Sequence, residues 1–210
     1  MTDKKTPKPS RKEQILQSLA TMLEQNPGGR ITTAGLARQV GVSEAALYRH
    51  FPSKTKMYEA LIEFIENTIF PRISLILSEV SSTEARCTQI LTLFLTFSER
   101  NPGITRILTG DPLSGESERL RLRVSQFFER FETQLRQILR EAEIRDENKT
   151  RLGVNVAANL MLTMVEGKIG QFVRSDFEKK PMAHWPEQWQ ALRNTIFQLP
   201  ARGGHGVDRT

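Results

Sequence analysis

Apolar residues return every three or four positions through most of this chain, and a few sharp breaks divide the pattern. Over 11–26, Ile15, Leu16, Leu19, Met22 and Leu23 form one stripe, and Pro27, Gly28 and Gly29 end it. Next, Leu36, Ala37 and Val40 share a face. Thr32 ahead of them has the hydroxyl of an N-cap, and Gly41 behind them suits the left-handed residue that closes a helix. Val42 is placed to fill the gap before the next helix. Ser43 caps that helix, which runs over 44–50 with Leu47 and Phe51 inward. Pro52 cannot continue it, and it biases the residue before it away from helical angles.

Ser53 caps a long helix whose stripe, from Met57 and Leu61 to Ile76 and Leu77, reaches about residue 80. Pro71 lies inside it, removes one hydrogen bond, and predicts a bend over 67–71 or a break into two helices. A strongly apolar helix follows over 83–99, stopped by Asn101-Pro102-Gly103, and a short one over 104–108. Asp111-Pro112 and Gly115 mark a loop. A long amphipathic helix spans 116–145, with Leu120, Val124, Phe127, Phe128, Phe131 and Leu135 inward and alternating Arg and Glu outward. Helices over 154–173 and 188–199 complete the chain, the first carrying small residues at 157, 158, 167 and 170 that permit close helix approach. No segment alternates with a period of two, and no repeat appears. The chain reads as all α.

Residues 32–54 are the most informative stretch. Two short helices on a tight turn form a helix-turn-helix, which places its second helix in the DNA major groove. The first outward residues of that helix are Glu44, Ala45 and Ala46. Short side chains let the backbone approach base edges, where alanine suits a thymine methyl and a carboxylate accepts from a cytosine amine. Tyr48, Arg49, His50 and Lys54 are donors for phosphate oxygens, which position a protein without specifying sequence. Charge agrees with this reading. Residues 1–56 hold 10 Lys/Arg and 4 Asp/Glu, whereas 57–210 hold 20 of each, so the whole formal charge of +6 sits in the head. That is the electrostatic footprint of a nucleic-acid binder.

The organisation expected is a disordered basic arm over 1–10, a DNA-binding domain over 11–56, a larger helical domain over 57–199 and a Gly-rich flexible tail over 200–210. Cys87 is the only cysteine and reads as a small buried hydrophobe. No apolar run reaches the ~18 residues of a membrane span, and no signal-peptide core is present, so a cytoplasmic location is expected. The three histidines, His50, His184 and His205, show no metal-ligand spacing, and no nucleophile elbow or phosphate loop accompanies them. No enzyme, cofactor or metal is expected.

The segment GVSEAALYRHFPSK, between a preceding and a long following helix, resembles the TetR family of dimeric regulators through Val42-Ser43, Leu47-Tyr48, His50-Phe51 and Ser53-Lys54. The resemblance implies a three-helix head and a helical body that pairs as a homodimer through its last two long helices, here about 150–175 and 185–199. A palindromic double-stranded DNA site would take one or two such dimers. A closer resemblance, carried by EQILQSLATMLE, RITTAGLA, ERNPGITRILTG, QLRQILRE and FVRSDF, is to the branch of that family acting in nucleoid occlusion. It covers most of residues 11–180. It implies a nucleoid-associated factor that, while on DNA, binds the tubulin-like division protein FtsZ and keeps the division ring from assembling over the chromosome.

On that resemblance, Thr32, Thr33, Ser43, Glu44, Ala45, Tyr48, His50 and Lys54 match DNA-facing positions. Phe64, Arg72, Leu93, Thr96, Arg100 and Asn101 match a groove between the fourth and fifth helices that takes the FtsZ C-terminal tail. Taken from the residues alone, Phe64 and Leu93 read more readily as core. The chain departs from the branch in four places. Thr96 stands in place of an expected glycine, which narrows the groove. Gly35 stands in place of an expected lysine and weakens its helix by about 1 kcal/mol. Pro71 lies beside Arg72, and the stretch GDPLSGESE is less apolar than expected. A second reading is a repressor released by a small ligand held among Phe94, Phe97, Phe127, Phe128 and Phe131. A packed body with an open groove at Phe64 and Arg100 favours the first reading, and a large empty apolar pocket favours the second.

Overall fold

The computed structural model describes residues 9–26, 29–113, 118–145 and 150–197. The arm over 1–8 and the tail from 198 onward lie outside the described residues. Those described form nine α-helices and no strand.

The head is α1 (Arg11–Gln25), α2 (Thr33–Val40) and α3 (Glu44–His50). Ser10 caps α1 in a reciprocal pair with Glu13: the Glu13 N–H donates to Ser10 Oγ, and the Ser10 N–H donates to Glu13 Oε2. Thr32, Ser43 and Ser53 each accept a backbone N–H of the helix they open, from Gly35, Ala46 and Lys56. Gly41 closes α2 at φ +75°, a conformation open to glycine at no steric cost. Ile15, Leu19, Leu23, Leu36, Ala37, Leu47 and Phe51 are buried together.

α4 (Lys54–Glu79) runs from head to body as one helix, and Pro71 does not break it. Pro71 is exposed, so the Asn67 carbonyl that loses its partner faces water. Eight buried residues on the opposite side, from Met57 to Ile73, hold both halves of the helix against the core. Lys56 and Arg119 both bind the Glu59 carboxylate, each at 2.6 Å. The Lys56 hydrogen bond foremost, with Arg119 and Arg123 nearby, holds this carboxyl below its usual range despite the opposing effect of burial.

The body adds α5 (Thr83–Arg100), α6 (Pro102–Leu108), α7 (Glu118–Ile144), α8 (Val154–Arg174) and α9 (Trp185–Ile196), with a single 3-10 turn at Asp111–Leu113. Two boundaries differ from expectation for one reason. Pro102 reads as a stop, yet it sits in the first turn of a helix, where its missing N–H has no partner to lose; Pro186 does the same in the last helix, ahead of the start expected at 188. α6 therefore begins at Pro102, and α9 begins at Trp185 behind a left-handed His184 at φ +56°. The small residues of α8 do not share one face. Ala157 and Ala158 are buried in the core, while the exposed face carries Val156, Leu160, Thr163 and Gly167.

Phe94, Phe127, Phe128 and Phe131 pack on one another with ring centroids 5.0–6.4 Å apart. Four of the five phenylalanines expected to line a ligand cavity thus touch one another directly. Trp185 and Trp189 stack at 5.6 Å and donate to Thr92 and Thr88 of α5, so the buried indoles keep their hydrogen bonds. Cys87 is fully buried, and burial raises its thiol pKa to about 12, which leaves it without thiolate character.

Candidate nucleic-acid interface and junction groove

The α2–turn–α3 unit presents its N-terminal ends together. Thr33 Oγ1 donates to Glu44 Oε2 at 2.9 Å, linking the first turns of the two helices. Ala45 is exposed beside Glu44, with Ser43 and Thr32 exposed as caps. One turn on, Tyr48 is 42% exposed despite its size, and Arg49 and His50 are exposed in the last turn of α3. Lys54 opens α4 with its ammonium 5.5 Å from the Tyr58 ring centroid, and Lys12 of α1 lies 5.3 Å from the Phe51 ring. Donors thus flank a helix whose leading edge is small and acidic, the arrangement expected if the donors position the phosphates and the leading edge reads bases. Tyr48→Ala and Lys54→Ala are each expected to weaken binding about equally on all duplexes. Lys54→Ala should also lower the slope of log affinity against log salt by about 1. Fluorescence anisotropy on specific and scrambled duplexes checks this; loss confined to some sequences would assign these side chains to base reading.

The second feature is a groove of about 390 Å³ at the junction of head and body. Glu13, Leu16, Gln17, Ala20, Thr21 and Glu24 of α1 form one wall. Leu61 and Phe64 of α4, Arg100 and Asn101 at the end of α5, and Gly103 and Ile104 of α6 form the rest. Three of the six residues matched to a partner groove, Phe64, Arg100 and Asn101, meet here. Phe64 is 46% exposed, so it is a surface residue and not core. Leu93 is half-buried and packed against the core. Arg72 is exposed two turns beyond Phe64 on α4. The Thr96 hydroxyl donates to Met182 Sδ at 3.6 Å, so its extra bulk is taken up by the segment before α9.

The resemblance points to a groove between the fourth and fifth helices; the cavity here has α1 of the head as a further wall, a contact that no spacing in the sequence signals. A joint between head and body lies beneath it. A Cβ built on Gly103 would lie 2.0 Å from the Ala20 carbonyl oxygen and 2.9 Å from the Glu24 nitrogen, so α6 meets α1 backbone to backbone. Arg106 is 1% exposed. Its Nη1 donates to the Leu23 and Asn26 carbonyls at 2.6 and 2.8 Å where α1 ends; no intrahelical N–H reaches either, and Asn26 also accepts from the Gly29 N–H. Its Nε and Nη2 donate to Asp111 Oδ2, the first at 2.6 Å. The one available signal was a glycine and an arginine three apart on a helix too short to need either.

Residues 15–61 match the model of bacterial regulatory proteins of the tetR family, and residues 81–197 match that of a tetracyclin repressor-like C-terminal domain of SlmA-like type. Solved structures agree on the fold. The transcriptional regulator FadR of Bacillus subtilis, in complex with stearoyl-CoA, superposes with a TM-score of 0.74 at 17% identity, covering 88% of this chain and 98% of its own. A TetR regulator of Haloarcula marismortui gives 0.74 at 18% identity, covering 90% and 98%. The molecule is a helix-turn-helix DNA-binding protein of TetR fold. Its sequence relatives are more specific. Nucleoid occlusion factor SlmA of Shewanella pealeana is 57% identical over 193 residues, covering 92% of this chain and 98% of that protein, and SlmA of a Marinomonas species is 55% identical over 196 residues, covering 93% and 98%. The chain belongs to the SlmA family of nucleoid occlusion factors within the TetR regulators.

Proposed function

We propose that this chain binds palindromic DNA as a homodimer and, so bound, takes the C-terminal tail of FtsZ in the junction groove, which antagonises division-ring assembly over the nucleoid. The observation that carries the reading is the groove itself. An exposed phenylalanine, an exposed arginine and an asparagine converge at the head–body junction of a chain whose relatives are nucleoid occlusion factors. Phe64 and Leu61 offer an apolar floor to an extended peptide, and Arg100 offers a charge to its carboxylates. Arg72, Leu93 and Thr96 extend the reading along α4 and α5 by resemblance.

The homodimer is supported by the exposed apolar face of α8. Val156 is 59% exposed and Leu160 36%, one turn apart, on a helix whose other side is core. Two such faces brought together would bury them, as pairing through the last two helices requires. A two-fold pair of heads then fits a palindrome. The direct contacts among Phe94, Phe127, Phe128 and Phe131 weigh against the ligand-released repressor, whose ligand those rings would have to line.

The test is GTP-driven FtsZ assembly followed by light scattering and pelleting, with and without a palindromic duplex that the protein selects from random sequence. Polymer lost more steeply when the duplex is present is the expected result. DNA binding with unchanged polymer would overturn the reading.

A further inference from the structure

We infer that Arg106 is the positioning residue that sets α1 of the head against the body and so sets the width of the junction groove; the inference rests on the groove reading above. Three observations meet at one place. Ala20 and Glu24 of α1 and Gly103 of α6 line the groove, and the same residues touch backbone to backbone beneath it. The last turn of α1 ends in carbonyls that its own helix cannot satisfy, and a body side chain satisfies two of them. That side chain is a guanidinium held almost completely out of water, anchored from behind by Asp111.

A buried cation tolerates few arrangements, because any slip of α1 leaves a charge or a carbonyl without its partner. The planar fork serves the α1 carbonyls with one nitrogen and Asp111 with the other two, which lysine, a point charge with a single nitrogen, does not reproduce. α1 therefore has a few discrete seats on α6 and not a continuum of them. A shift of the head on DNA between such seats changes the width of the groove, with Arg106 at the pivot. Binding at α3 and binding in the groove are then coupled, and by linkage each changes the affinity of the other by the same factor.

The test uses the full chain and the variants Arg106→Lys and Asp111→Asn, the second keeping a polar anchor should the first fold poorly. Nitroxide labels are placed on cysteines introduced at Gln17 of α1 and Gln89 of α5. Cys87 is buried and its thiol pKa raised, so the introduced thiols react selectively. Electron–electron distance distributions are recorded with and without the selected palindrome. In parallel, a labelled FtsZ C-terminal tail peptide is titrated by anisotropy, and the ratio of its affinities with and without DNA is taken. The expected result is a narrow wild-type distribution that broadens in both variants, with the DNA-induced affinity ratio falling at least about fivefold toward one. Thermal unfolding lowered with distribution and ratio both unchanged would make Arg106 merely structural and overturn the inference. A wild-type chain that binds no peptide on DNA would overturn the groove reading instead, and the distance distributions alone would then decide the role of Arg106.

Discussion

Arg100→Asp is expected to abolish antagonism of FtsZ assembly and leave DNA binding at its wild-type strength. Arg100 is exposed in the last turn of α5, on the body wall of the groove, and belongs to neither α2 nor α3. Reversal places a carboxylate where the tail brings carboxylates of its own, in a groove that α1 already lines with Glu13 and Glu24. Losing one partner of a charge pair at an interface weakens binding by about 2 kcal/mol or more, about 30-fold in affinity, and reversal adds repulsion to that loss. The fold should hardly respond. An acidic residue at a helix C-terminus costs about 0.3–1 kcal/mol through the helix dipole, and among the described residues no hydrogen bond or ion pair holds this exposed guanidinium in place. The measurement pairs operator anisotropy with FtsZ pelleting on one preparation. If both activities survive, the tail docks elsewhere. If both fail, Arg100 acts on the DNA side as well, and the two surfaces do not divide as described.

The two surfaces were not equally legible in the sequence. The DNA-binding unit is built from local rules. A cap lies within three residues of the N–H it accepts, Gly41 closes the helix it follows, and Leu47 is inward together with Phe51 one turn on. Each signal is complete within a window of about ten residues, so α2 and α3 could be placed to the residue. The groove is not local. Its α1 wall and its α5–α6 wall are some eighty positions apart in the chain, and nothing in the spacing of Glu13, Gln17 and Thr21 says what faces them. Phe64 shows the limit most clearly. Its place in the apolar stripe of α4 made it a core residue by periodicity, and only the way α4 sits between head and body leaves it 46% exposed. Arg106 fails in the opposite sense. An arginine in a short polar-flanked helix is expected at the surface, and its burial follows from an unpartnered helix end that lies elsewhere in the sequence. Proline misled in a third way. A proline that ends one helix and a proline that begins the next look alike until the residues around them have been given angles, as Pro102 shows.

Gly103→Ala should destabilise the chain by about 3 kcal/mol, at the upper end of what one added methyl does in a packed interior. The substitution is favourable by intrinsic propensity, since alanine in a helix gains about 1 kcal/mol over glycine. Packing opposes it and wins. The added Cβ would sit 2.0 Å from the Ala20 carbonyl oxygen and 2.9 Å from the Glu24 nitrogen. Both atoms are backbone, so no side-chain rotamer can swing away, and relief requires α1 and α6 to part. Parting them lengthens the bonds from Arg106 to the Leu23 and Asn26 carbonyls, and leaves a nearly buried guanidinium short of acceptors. The steric and polar penalties therefore arrive together. Near the midpoint, for a chain of this length, that corresponds to a fall in melting temperature of about 10 °C. Thermal unfolding followed by helical circular dichroism, at fixed protein concentration, reads it directly. A shift below about 2 °C would mean that α1 and α6 are not in backbone contact at Gly103, and the joint between head and body would have to lie elsewhere.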